Sequence, residues 1–285
     1  MPTPSACGRD GAPVRGPGWH DGGEMTSPLD LLAERLTRLQ RVVVAFSGGA
    51  DSAFLAYVAQ KALGAERAHA VTAVSASLAT DEEADCRALA DEWGLRWTPV
   101  ATVELAVAAY RVNDTDRCFH CKTELMRVLA PIAEAERATV VLGVNLDDLG
   151  DHRPGQRAAA DEGAEFPLVE AGFTKAMVRA ASRDLGLRTW DKPAAACLAS
   201  RLPYGTPVTF RTLSQVDRAE GALRRLGLRD LRVRHYDDLA RIEVGIDELP
   251  LVMSHRDEVV AAVKAAGYRY VTLDLEGFRS GNLNL

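Results

Sequence analysis

The chain has no run approaching the ~18 uninterrupted apolar residues of a spanning helix, which excludes a helical membrane protein. Its first 25 residues lack the apolar middle of a secretory signal, so a soluble cytoplasmic protein is the expectation. There is no excess of positive charge. Against 34 Lys+Arg stand 40 Asp+Glu, a formal net charge of −6, which gives no global attraction to nucleic-acid phosphates. Cysteine is sparse and odd in number, five in 285 residues at positions 7, 86, 118, 121 and 197, which excludes a disulfide-dense miniprotein and fits a reactive or metal-site pattern better. Repeats, low-complexity tracts and the Gly-x-x-x-x-Gly-Lys-Ser/Thr string of an ordinary P-loop are all missing. What is present is a 47% apolar chain, long enough for one large domain or two ordinary ones.

Residues 1–25 carry Pro, Gly and Ser without apolar periodicity and read as a disordered leader, or as an overcalled start upstream of Met25, with Cys7 inside it. From Pro28 a short helical pattern leads into an apolar strand. Strands are then expected at 41–46, 69–75, 96–100 and 139–144, and helices at 51–63, 82–93, 122–136 and 174–185. That alternation predicts an α/β domain over 26–190, a doubly wound parallel sheet with ligands at the carboxyl ends of its strands. A Pro/Gly-rich stretch over 191–208 reads as a hinge and active-site segment. Beyond it, 209–285 predicts a small α+β domain of order αββαβ: a helix at 210–226, strands at 230–235 and 240–246, a helix at 254–266 and a last strand at 268–275.

The sharpest local feature is Val42-Val43-Val44-Ala45-Phe46-Ser47-Gly48-Gly49-Ala50-Asp51-Ser52. Paired glycines let backbone approach a phosphate, and the helix behind them offers free N–H groups and a positive dipole end. Ser47 and Ser52 add hydroxyls. On glycines alone a capped strand-to-helix turn is an equal reading. The whole Ser-Gly-Gly-x-Asp-Ser string after an apolar strand is similar to the PP-loop of the adenylating ATP pyrophosphatases. That resemblance implies ATP cleavage between the α and β phosphates and an AMP ester on the substrate. Asn145, Asp147 and Asp148, at the end of the 139–144 strand, fit the same site: Asp148 can hold Mg²⁺ on the phosphates or can simply close an Asx turn. Arg153 in His152-Arg153-Pro154-Gly155 would bring a cation beside the nucleotide.

Cys118 and Cys121 form a lone Cys-x-x-Cys, for which structural zinc, a redox pair and chance are all open readings. Cys197 lies in the Pro/Gly-rich stretch among alanines, where a small buried hydrophobe is the plainer reading. Three cysteines from two segments can also hold three irons of a [4Fe-4S] cluster and leave the fourth open. Cys86, inside a helical pattern, is expected to be structural.

Residues 28–280 resemble the ATP-dependent sacrificial sulfur transferases of the LarE type. The resemblance rests on the Ser47–Ser52 loop, Gly143 to Asp148 with Gly150 to Gly155, the Lys192 to Gly205 segment, Arg232-Val233-Arg234-His235-Tyr236, and Leu239 to Val244. It implies conversion of the carboxylates of pyridinium-3,5-biscarboxylic acid mononucleotide into thiocarboxylates, on the way to a nickel-pincer nucleotide cofactor. In simpler members a cysteine matching Cys197 gives up its own sulfur. Members with cysteines matching Cys118, Cys121 and Cys197 hold a [4Fe-4S] cluster, and this chain has all three. The resemblance gives ATP-binding to Ser47, Gly48, Gly49, Asp51, Ser52, Asn145, Asp148 and Arg153. Ser200 and Arg201 match substrate-pocket positions beside Cys197, Arg232 and Arg234 match nucleotide-phosphate ligands, and Glu220 and Glu243 match an acidic pocket that contacts a divalent cation. A homo-oligomer, commonly a hexamer, a small nucleotide substrate, no nucleic acid or membrane partner, and transient contact with other cofactor-maturation proteins are further implications. The rival readings are a PP-loop tRNA thiolase, an amidotransferase like NAD or GMP synthetase, which leaves the three cysteines unexplained, and a non-catalytic nucleotide-binding module with structural zinc.

Overall fold

The computed structural model describes residues 27–150, 154–193 and 196–279. The leader with Cys7, the Arg153 position and the 280–285 tail lie outside the described residues. The chain opens with α1 (Pro28–Leu39), whose Ser27 and Asp30 form a reciprocal capping box with Pro28 at the first turn. Leu32 and Leu36, one turn apart, are fully buried, each contributing ~1.5–3 kcal/mol of apolar burial.

The strands β1 (Val42–Ala45), β2 (Ala68–Val74), β3 (Arg96–Ala101) and β4 (Thr139–Leu142) form a sheet in the order β3-β2-β1-β4, parallel throughout. Between them run α2 (Ala50–Leu63), α3 (Thr80–Trp93), a short α4 (Ala108–Val112) and α5 (Arg117–Glu136). Nearly every face of α2 is apolar and buried, because it lies between the sheet and α1. The chain steps from β1 outward to β3 and then returns to the far side of β1 as β4. The loops leaving β1 and β4 therefore part at the switch point where doubly wound sheets bind ligands. α6 (Pro154–Asp161), α7 (Pro167–Glu170) and α8 (Lys175–Asp184) complete this half.

α5 begins at Arg117 rather than at 122, so both cysteines of the Cys-x-x-Cys lie in its first turns instead of a preceding loop. Three residues apart, they share one face.

After a segment whose described residues form a 3₁₀ turn at Leu198–Arg201 and no other helix or strand, α9 (Phe210–Arg225) leads into β5 (Leu231–Tyr236) and β6 (Leu239–Val244), an antiparallel pair. α10 (Leu249–Ser254) and α11 (Arg256–Ala265) then cross over so that β7 (Tyr270–Leu273) runs parallel to β6. This is the αββαβ order with one short helix added. The small sheet packs its own apolar cluster of Leu223, Val233, Ile242, Val244 and Val263. A separate cluster, in which Tyr110, Leu198, Leu202, Val208 and Leu213 meet, joins the two halves, and Cys121 and Cys197 pack against its edge. Among the described residues no helix is long and apolar enough to cross a membrane.

Candidate active site

The turn from β1 into α2 is built for close approach to an anion. Gly48 sits at φ +69°, a conformation that favours glycine, and a Cβ there would stand 2.8 Å from Cys86 Sγ. Gly49 is the N-cap of α2 and supplies no capping side chain, so the first-turn N–H groups are left to another acceptor. Ser52 Oγ receives the Ser47 backbone N–H at 3.2 Å and lies 3.0 Å from Ser47 Oγ, which fixes both hydroxyls at the turn.

The β4 loop closes on this turn backbone to backbone. A Cβ on Gly143 would stand 2.7 Å from Ser52 N and 2.9 Å from the Asp51 carbonyl carbon. Asn145, fully buried, donates its amide to Asp51 Oδ1 at 3.1 Å and accepts the Asp147 backbone N–H at 3.0 Å. Burial pushes the Asp51 carboxyl up, with the Asn145 hydrogen bond opposing. Asp148 caps its own loop through the Asn145 backbone N–H at 3.2 Å.

Lys192 comes in from the far side. Its Nζ donates to the Gly48 carbonyl at 3.1 Å, to Glu82 at 2.7 Å and to Asp85 at 2.6 Å. Burial pulls this ammonium down, but the two carboxylates prevail and hold it above the ordinary lysine value. Arg179 clamps the segment by donating to the carbonyls of Trp190 and Lys192.

Next to the turn is a partly open cavity of about 350 Å³ lined by Ser47, Ser52 and Gly143 and also by Glu104, Cys121, Lys122 and Cys197. Two of the three cysteines thus share one chamber with the phosphate turn. They are gathered by hydrogen bonds that neither cysteine makes. Leu198 N donates to Ser77 O at 2.8 Å, Arg117 donates to Ala199 O at 2.9 Å, and Asn113 Nδ2 donates to Pro203 O at 2.7 Å and Thr206 O at 2.9 Å. Burial, then the neighbouring Cys197, pushes the Cys121 thiol up to about 12. Such a pocket disfavours bare thiolates and suits thiols or sulfurs neutralised by a cation. Cys118, one turn earlier on the same helix face, is exposed. Among the described residues no three His, Cys, Asp or Glu side chains are gathered as a metal-binding group, so the triad matches a soft metal in donor type while its closure around one is not formed here. Cys86 is buried in the core under Gly48, with its thiol pushed up to about 11 by burial.

Ser200 and Arg201 hold the backbone of Cys197 rather than its sulfur: Ser200 Oγ donates to the Cys197 carbonyl at 2.7 Å and Arg201 Nη1 at 3.0 Å. Arg201 in turn forms a bidentate pair with Glu220, at 2.8 and 3.0 Å. A charged residue on helix α9 reads from sequence as exposed, yet Glu220 is fully buried, because Arg224 Nη2 at 2.9 Å and the Val233 N–H at 3.0 Å take up its remaining acceptor sites. Glu243 is likewise taken by Arg234 at 2.8 Å and Arg241 at 2.8 Å. The expected divalent cation at Glu220 and Glu243 does not fit this arrangement, since it would have to displace guanidinium groups that already balance both charges.

Arg232 and Arg234 are both buried, not on a solvated strand face. With Arg201 and the half-buried Arg224 they form a cluster of guanidinium groups around Glu220 and Glu243. Burial, then the charge of Arg201, lowers Arg232 to about 10, against the pull of Glu220. Guanidinium forks are the donor type that suits a phosphate.

Gly143 and Lys192 stand in segments that carry the family resemblance, but the part each plays is legible only in its contacts, Gly143 against Ser52 and Lys192 on the Gly48 carbonyl.

A parallel sheet ending in this turn, with a second loop locked to it across the switch point, defines the chain as an α/β nucleotide-binding protein of the PP-loop ATP pyrophosphatase class. A family model described as NAD synthase matches residues 30–126. The pyridinium-3,5-bisthiocarboxylic acid mononucleotide synthase of Lactiplantibacillus plantarum is 40% identical over 255 residues, 89% of this chain and 92% of that protein. An uncharacterized protein of Synechocystis is 44% identical over 263 residues, 91% of this chain and 98% of its own length. A tRNA(Ile)-lysidine synthase of Rhodococcus erythropolis is 33% identical over 162 residues, 54% of this chain and 48% of that protein. The chain belongs to the family of pyridinium-3,5-bisthiocarboxylic acid mononucleotide synthases, the LarE family.

Proposed function

We propose that this enzyme adenylates the carboxylates of pyridinium-3,5-biscarboxylic acid mononucleotide with ATP, releasing pyrophosphate, and converts them to thiocarboxylates. The observation that supports the reading is the shared chamber, whose lining holds Ser47, Ser52 and Gly143 of the turn together with Cys121 and Cys197. A carboxylate is a poor electrophile, whereas its mixed anhydride with AMP carries a good leaving group, so activation and sulfur attack belong in one enclosure. Ser47, Gly48, Gly49 and Ser52 would hold the β and γ phosphates, Asp51 and Asn145 keep the two loops together, and Asp148 would hold Mg²⁺. Lys192 stiffens the turn from below. Arg232 and Arg234 would bind the substrate phosphate, and Ser200 and Arg201 orient Cys197.

Cys118, Cys121 and Cys197 would hold three irons of a [4Fe-4S] cluster, and such a cluster would supply sulfide from its open iron. Cys118 on the exposed first turn of α5 would have to swing inward. Without a cluster, Cys197 would act as the sacrificial sulfur, the role the family resemblance gives it. A homo-oligomer and transient contact with other maturation proteins are part of the same proposal.

The test incubates anaerobically purified protein, with and without iron and sulfide reconstitution, with ATP and the pyridinium nucleotide. AMP and pyrophosphate release are measured together with thiocarboxylate formation by mass spectrometry. Multiple turnovers only after reconstitution support the cluster; a single turnover with loss of the Cys197 sulfur supports the sacrificial route. Release of AMP stimulated by bulk tRNA and not by the nucleotide would favour the tRNA thiolase reading. About one zinc and no iron bound would sink the cluster.

A further inference from the structure

One carboxylate in the chamber is only half used. Glu104 follows β3 and is 4% exposed. Its Oε1 accepts a hydrogen bond from Ser75 Oγ at 2.5 Å, whereas Oε2 is buried and has no hydrogen-bond partner. A buried carboxylate oxygen left this way is costly and has to be offset by a cation or a donor. Glu104 lines the same cavity as Cys121 and Cys197, close enough for its charge to act on the Cys121 thiol. Lys122 lines the cavity too, but no ion pair joins it to Glu104.

We infer that Glu104 is the counter-ion of the substrate's pyridinium ring and thereby sets specificity for a cationic ring; this rests on the function proposed above. The ring nitrogen carries a permanent charge and no N–H. It cannot satisfy a carboxylate that needs a directed donor, but it matches one whose first oxygen is already fixed and whose second lacks a partner. In a 3,5-substituted ring the nitrogen lies a few ångströms from the carboxyl carbon that sulfur must attack. A carboxylate beside the two cavity cysteines therefore meets the ring nitrogen when a ring carboxyl meets Cys197. The pairing takes place in a shielded pocket, where fixed charges act strongly.

The test measures binding of three ligands by calorimetry to wild type, Glu104→Gln and Glu104→Asp: the pyridinium-3,5-biscarboxylic acid mononucleotide, its uncharged benzene-ring isostere, and ATP. Wild type is expected to prefer the cationic ring. Glu104→Gln is expected to lose affinity for the cation by on the order of tenfold or more, with the isostere and ATP unchanged. Glu104→Asp, which keeps the charge, is expected to restore part of the preference. Equal loss for cation and isostere, or an unchanged preference in Glu104→Gln, would overturn the counter-ion role. Failure of wild type to bind the pyridinium nucleotide at all overturns the functional reading itself, and the inference falls with it.

Discussion

Gly143→Ala tests whether the backbone contact between the two loops sets the phosphate site. The added Cβ would meet Ser52 N at 2.7 Å, and Asp51 C and Ser52 Cα at 2.9 Å. Ordinary carbon contacts begin near ~3.5 Å, so the closest falls short by about 0.8 Å (3.5 − 2.7). All three neighbours are backbone atoms of the first turn of α2, and none can rotate aside. The loops must separate. Overpacking of this kind costs about 1–3 kcal/mol. At roughly 2–4 °C per kcal/mol, the melting temperature is expected to fall by on the order of 2–12 °C. The activity loss should be larger, because the displaced N–H groups are those aimed at the nucleotide, and a shift of about 1 Å costs on the order of a hundredfold in turnover. Thermal melts with and without ATP, together with substrate-dependent AMP release, measure both. Gly64→Ala is the control. Gly64 has a positive φ, +78°, with ψ 165°, a conformation nearly restricted to glycine, but a Cβ there meets nothing within 4 Å, so it should cost about 1–3 kcal/mol of backbone strain and leave ATP binding alone. If Gly143→Ala melts like wild type and keeps its activity, or if Gly64→Ala damages ATP binding equally, the contact does not position the phosphate site.

Cys197→Ala is expected to abolish thiocarboxylate formation while nucleotide-dependent AMP release survives; loss of both in a protein with the wild-type melt would count against its role as the sulfur-handling residue. Glu220→Gln strands buried Arg201 without its charge partner, while Arg224 keeps Asp81, and should destabilise by about 3–5 kcal/mol, whereas chelator treatment should leave the wild-type melt unmoved; a melt lowered by chelator would revive a cation at Glu220. The Lys192 ammonium is held above its ordinary 10.5 in the folded state, so its stabilisation is complete below that value and is lost as pH rises through the higher folded value. Melts of wild type and Lys192→Met should therefore converge in strong alkali, and a constant gap across that range would refute the ion pairs. Alkylation of cluster-free protein near pH 8 should label exposed Cys118 first and Cys121 last of the pair, since a thiol near 12 is ionised in only about one molecule in ten thousand; peptide mass spectrometry reads the order.

Much of the site could be read from local strings. Ser47 to Ser52 specify their turn within six residues, because the glycines, the hydroxyls and the helix start all act on one another at short range. The alternation of strands and helices was legible for the same reason. What escaped depends on distant partners. Glu220 is 19 residues from Arg201 and 13 from the Val233 N–H, and nothing in the helical pattern of α9 announces that a carboxylate will be buried there. The early start of α5 was hidden because Arg117-Cys118-Phe119-His120 carries no apolar period, and it is held through Arg117 by the carbonyl of Ala199, 82 residues away. Gly143 and Lys192 gain their meaning only when β4 lies beside β1 and the segment after α8 folds back under Gly48.

The position of Cys197 belongs to neither half of the molecule alone. From the nucleotide-binding half, Ser77 O receives the Leu198 N–H and Arg117 grips Ala199. From the small half, Glu220 holds Arg201, whose guanidinium donates to the carbonyls of Ala196 and Cys197, and Arg234 donates to Ser200 O at 2.9 Å. The residues on either side of the cysteine are thus fixed from opposite directions by charged groups that are themselves buried. The guanidinium cluster that we propose for the substrate phosphate also sets the cysteine backbone. An anion bound among Arg201, Arg232 and Arg234 would draw on the groups that orient Cys197, so in that proposal substrate phosphate binding and sulfur placement would be coupled through Arg201. Such coupling would give a reason for carrying ionised residues in a core where apolar side chains would cost less to bury.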